Sequence, residues 1–264
     1  MKVYGKYYVF PFLYGVIISL YGSLYSKSTH TFWSIALELN GGYLEYINPM
    51  SIAALIELYM PFFFYVLFFS TYIYRHFCNS SVYVFSRCEN RMKWYCKETG
   101  KLLGFTFCNT LAIYMGYCFT TLLAHKLSFS LKHIWIAGWY LSLFTLWCFV
   151  IVLLANIVAI WKGSVVGNVM ALSLPVIATF SLLTIDCKHL TAIAWKQLAL
   201  NPCAYLVADW YNVTLDGEKI LGVLGPGLSI RNGYIIMSAY GLLIFLIGMI
   251  VVQRIDILEN NKER

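Results

Sequence analysis

Glu57 is the only ionisable residue well inside a long apolar stretch of this chain, and Tyr59 follows two positions later. A carboxylate at the centre of a hydrocarbon layer costs about 2.5–3.5 kcal/mol on insertion scales, so the pair is a candidate for contact with a polar group passing through. The plainer account is that Glu57 lies within about two turns of the end of its stretch, near Pro61, and reaches the polar interface. Other chemistry is sparse. Cys78, Cys88 and Cys96 fall in one charged connection, and Cys108, Cys118 and Cys148 in apolar stretches, where a thiol behaves as a small apolar side chain. Cys187 and Cys203 share another connection and could pair if their geometry permits. There is no CxxC or HExxH spacing to suggest a metal site, and His30, His125, His133 and His189 are scattered one or two to a connection. A GxxxxGK(S/T) phosphate loop, a GxSxG elbow and a carboxylate pair within one apolar stretch are all missing. Hydrolysis of a nucleotide by this chain is therefore not expected.

The most informative segment is 83–97, YVFSRCENRMKWYCK. At a hundred degrees per residue, Arg87, Asn90, Arg91, Trp94 and Glu98 fall on neighbouring turns, while Val84, Cys88, Met92 and Tyr95 gather elsewhere. That pattern predicts an amphipathic helix in the plane of a membrane interface, held there by basic residues worth about 1 kcal/mol each against anionic lipid. The alternative is a docking element for a cytoplasmic partner. Glu89, Asn90 and Glu98 favour docking, because a helix that only binds anionic lipid gains nothing from carboxylates. A second, much shorter contact surface is offered by the turn 161–168, in which Trp161 and Lys162 precede two glycines.

These residues need elements to hold them. Of the 264 residues, 60% are apolar and only 12% charged, against about 25% charged in soluble proteins. Spanning a hydrocarbon core takes roughly 20 apolar residues as a helix. Six stretches qualify, at about 7–24, 52–74, 102–124, 134–160, 169–185 and 234–252. Tyr14, Tyr21 and Tyr25 stand where a cleavage site would need small residues, so the first stretch reads as an uncleaved helix.

Even parity puts both termini on one side, and Lys and Arg say which. The terminus side carries twelve of the 19, including Arg75, Arg87, Arg91, Lys93, Lys97, Lys101, Lys162 and Arg254, against seven on the other side. Both termini are thus expected in the cytoplasm, and the net charge of +7 is an insertion signal rather than a footprint for nucleic acid. The outer connection, about 186–231, holds two apolar pieces too short to span, 190–200 and 203–211, parted by Asn201 and Pro202. Two half-helices dipping back toward the membrane are expected there. The whole chain reads as one all-α transmembrane domain.

This order of elements resembles the membrane permease subunit of type-2 ATP-binding-cassette exporters. The resemblance implies that 83–97 is the coupling helix between the second and third spans, seated in a cleft of a separate ATPase. Its contacts would be Arg87, Glu89, Asn90, Arg91, Lys93, Trp94 and Lys97, with Trp161 and Lys162 as the shorter second contact. It also implies two copies of that ATPase, which would bind the ATP and Mg, and a second permease subunit, identical or related. A bacterial plasma membrane and an amphipathic cargo follow, with an antimicrobial or other peptide preferred to a lipid, polysaccharide or drug. A stand-alone carrier or an integral-membrane enzyme is the reading from other classes. A carrier would need paired broken helices near midplane and an ionisable coupling site, for which the chain offers only Glu57.

Overall fold

The fold is that of a computed structural model describing residues 5–25, 30–39, 49–84, 90–124, 126–183, 191–207, 210–211, 213–215, 218–221 and 228–255. In chain order the elements are α1 (Gly5–Tyr25), β1 (His30–Thr31), α2 (Phe32–Leu39), α3 (Pro49–Phe69), α4 (Tyr72–Val84) and α5 (Arg91–Leu123). There follow β2 (Leu127–Ser128), α6 (Leu131–Lys162), α7 (Ser164–Leu183), α8 (Ala192–Leu200), a short 3-10 helix (Pro202–Leu206), β3 (Val213–Leu215), β4 (Glu218–Leu221) and α9 (Ile230–Arg254). Among the described residues, four helices are long and apolar enough to cross a membrane: Arg91–Leu123, Leu131–Lys162, Ser164–Leu182 and Ile230–Arg254. The apolar run Tyr8–Leu20 belongs to α1.

α6 is the central helix. Its apolar window is 83% buried, against 28% for α7 and 22% for α9, so the other helices pack around it and turn their remaining faces outward. Those outer faces are apolar: Phe107, Leu111, Met115 and Phe119 on α5, Val176, Ile177 and Phe180 on α7, and Leu242, Leu243, Leu246 and Ile250 on α9 are all exposed. A soluble protein would not leave such stripes in water, whereas lipid accepts them. α1 lies against α5 at backbone distance, because Gly15 and Gly116 meet there. A Cβ on Gly15 would sit 2.0 Å from the Ile113 carbonyl oxygen, and one on Gly116 would sit 2.2 Å from that of Phe12.

The ends of the bundle are chemically distinct. One end gathers Arg75, Arg91, Lys93, Lys97, Lys101, Lys162 and Arg254, at the C-terminal ends of α6 and α9, in α4 and in the first turns of α5. At the other end β1 pairs with β2 in parallel, with His30 opposite Leu127, which ties the exit of α1 to the exit of α5. The 3-10 helix closes that end against α6, where the Tyr140 hydroxyl donates to the Leu206 carbonyl.

Several expected boundaries shift. The stretch 52–74 is not one helix: α3 stops at Phe69 and α4 begins at Tyr72, after a turn at Ser70 and Thr71. Nor is 83–97 one helix. Its start belongs to the end of α4, and its last seven residues are the first two turns of α5, which runs unbroken for 33 residues, about 50 Å. Residues 85–89, among them Arg87 and Glu89, lie outside the described set. Of the half-helices expected at 190–200 and 203–211, the first is α8, and the second begins as the 3-10 helix, with residues 208 and 209 outside the described set. Helix α2, in the connection after α1, had no counterpart in the hydropathy reading. It buries Ile35, Ala36 and Leu39 against the bundle.

Candidate functional site at the basic end

α4 and the start of α5 form an antiparallel helical hairpin, since contacts pair rising numbers on one with falling numbers on the other. Tyr72 and His76 face Glu98, and Phe77 faces Trp94 with ring centroids 6.0 Å apart. The first turn of α5 is organised by Asn90, whose side chain accepts from the Lys93 backbone N–H at 3.1 Å as an N-cap. At the root of the hairpin Glu98 is 3% exposed. Its carboxylate accepts from the Tyr72 hydroxyl at 2.9 Å and from Lys101 Nζ at 2.5 Å, with His76 Nδ1 at 3.6 Å. A buried carboxylate is tolerable only with such partners, and two of them, Tyr72 and His76, join α4 to α5.

The break before α4 is held by a residue from elsewhere. Asn156, in α6, is fully buried, and its carboxamide fits between α3 and α4. Nδ2 donates to the Phe69 carbonyl at 2.9 Å and to its own Val152 carbonyl at 2.8 Å. Oδ1 accepts from the Ile73 N–H at 2.7 Å and the Tyr74 N–H at 3.3 Å. Arg75 takes the Phe68 carbonyl at 2.8 Å, and Ser70 Oγ donates to Asn168 Oδ1 of α7 at 2.5 Å. Each helix end interrupted by the turn thus finds the partner that its backbone lacks.

These contacts sort the residues that the sequence singled out. Arg91 donates through Nη1 to the Ile255 carbonyl at 3.3 Å and the Gln253 carbonyl at 3.5 Å, so it secures the end of α9. Trp94 packs on Phe77, and Asn90 is spent as a cap. Lys93 and Lys97 are exposed. Trp161, 61% exposed, carries Lys162 Nζ 4.6 Å from its ring centroid. The turn that presents them depends on Gly163, with φ of +97°, and on Gly167, where a Cβ would sit 2.6 Å from the Ala155 carbonyl oxygen of α6. Burial pushes the Cys78 thiol of α4 above its ordinary range.

Away from the basic end, Tyr59 is engaged within the bundle. Its hydroxyl bonds Thr179 Oγ1 and the Pro175 carbonyl, the latter at 3.0 Å, and its ring lies 5.9 Å from that of Trp147. Glu57 is in α3, with its side chain outside the described set. Cys203 is a buried free thiol with Sγ 4.0 Å from the Pro175 carbonyl oxygen, and Cys187 lies outside the described residues. Among the described residues no three His, Cys, Asp or Glu side chains gather as a metal-binding set.

Sequence reasoning placed Glu98 on a face with Arg91 and Trp94 but did not bury it, and it missed Asn156. A lone Asn in an apolar run is itself a signal, because a buried amide must find partners. The apolar helices and their packing are the build of a multi-pass α-helical membrane protein. No family model, curated protein or solved structure matches the chain.

Proposed function

We propose that this chain is the membrane-spanning permease subunit of an ATP-driven exporter, working with a separate ATPase in the cytoplasmic membrane. On this reading α1, α3, α5, α6, α7 and α9 are the six spans, with both termini inside. The observation that carries the reading is the α4–α5 hairpin beside the α6–α7 turn at the basic end. A braced hairpin rooted on Glu98 is a lever by which a cytoplasmic partner could move the spans. Lys93 and Lys97 stand exposed on it, with Trp161 and Lys162 on the turn.

The chain contributes no phosphate loop, so ATP and Mg belong to the partner, expected as two copies against two permease subunits. The exposed aromatic and aliphatic faces suit an amphipathic cargo passing between subunits, with a peptide preferred to a lipid, polysaccharide or drug. The test is copurification with a co-expressed candidate ATPase. Lys93→Glu, Lys97→Glu and Lys162→Glu combined should lower recovery at least tenfold while the permease inserts normally. Full recovery with the triple variant would remove these residues from the docking surface.

A further inference from the structure

We infer that the junction between α3 and α4 is a two-state joint, in which the Asn156 carboxamide and a direct backbone bond compete for the same two groups. In a continuous α-helix the Ile73 N–H would bond to the Phe69 carbonyl, four residues earlier. Here the Asn156 amide is inserted into that bond, donating to Phe69 and accepting from Ile73. Helical bonding is intact on both sides, with Ser70 N to Val66 O at 3.0 Å and Arg75 N to Thr71 O at 2.9 Å. Residues 62–84 contain neither Pro nor Gly, so nothing in the local sequence forbids one helix from Pro49 to Val84. The interruption is imposed from α6 and α7, through Asn156 and through the Ser70–Asn168 bond.

Withdrawal of the amide lets the Phe69–Ile73 bond close, and α4 then continues the line of α3. In that state Tyr72 and His76 leave Glu98, so the contacts at Glu98 hold the bent form together with those at Asn156 and between Ser70 and Asn168. The joint is a property of the chain by itself and does not depend on which partner docks at the basic end.

Spin labels carried by genetically encoded, non-thiol residues at positions 80 of α4 and 165 of α7 leave the 8 native cysteines in place. In nanodiscs, wild-type protein should give one main distance. Asn156→Leu should add a second population displaced by about one helix diameter, ~10 Å, and keep the Ile73 and Tyr74 amides protected from deuterium exchange. Glu98→Gln should enlarge the same second population with Asn156 untouched. Only the wild-type distance in folded Asn156→Leu, with those two amides exchanging tenfold faster or more, would show a fixed clamp and overturn the joint. Should Asn156→Leu not fold, Glu98→Gln decides, and its giving the wild-type distance alone would overturn the joint equally.

Discussion

At the scale of single residues, Glu98 is a buried carboxylate whose partners come from two helices. Tyr72→Phe deletes one charge-assisted hydrogen bond and should cost about 1.5 kcal/mol, at the low end for such bonds because Lys101 and His76 still face the carboxylate. Lys101→Met should cost more than Tyr72→Phe, since it removes the nearest charge. Thermal unfolding in detergent measures both, and equal melting temperatures for wild type and Lys101→Met would mean that the Lys101–Glu98 contact adds nothing to stability. Arg91 makes a different prediction. Arg91→Ala should free the end of α9 and raise proteolysis after residue 253, an effect that Lys93→Glu and Lys97→Glu should not share. The sequence made Trp94 and Glu98 neighbours correctly, because i and i+4 share a helix face whatever the fold. It could not orient that face, since α4, which covers it, lies about twenty residues back.

At the scale of elements, hydropathy found the apolar middle of each long helix and lost the polar ends. α5 was expected to begin at 102 and begins at Arg91, because its first turns are polar in sequence and become helical by pairing with α4. The α3–α4 break was invisible for the opposite reason: its cause lies in α6, more than eighty residues away. The α1–α5 seam depends on Gly15 and Gly116 facing each other. Gly15→Val or Gly116→Val should force the helices apart at a cost of about 1–3 kcal/mol or more, read as a lower melting temperature. The double variant should cost less than the sum, because both residues serve one contact. Gly163→Ala, at φ of +97° and ψ of 161°, should cost about 1–3 kcal/mol through backbone strain alone.

For the whole molecule, the arrangement of charge makes a claim about sidedness. Cys96 is exposed in the first turns of α5, among the basic residues, whereas Cys203 is buried toward the opposite end. An impermeant maleimide should therefore modify Cys96 only when it reaches the cytoplasmic face, with peptide mass spectrometry identifying the site. Labelling of Cys96 from outside intact cells would invert the topology. The reading of the chain as a permease subunit is tested most directly by native mass spectrometry of the complex extracted with a co-expressed candidate ATPase. The account predicts two permease chains with two ATPase subunits, and ATP hydrolysis by that assembly only. A chain recovered without any nucleotide-binding protein, yet moving its cargo in liposomes that lack ATP, would contradict it.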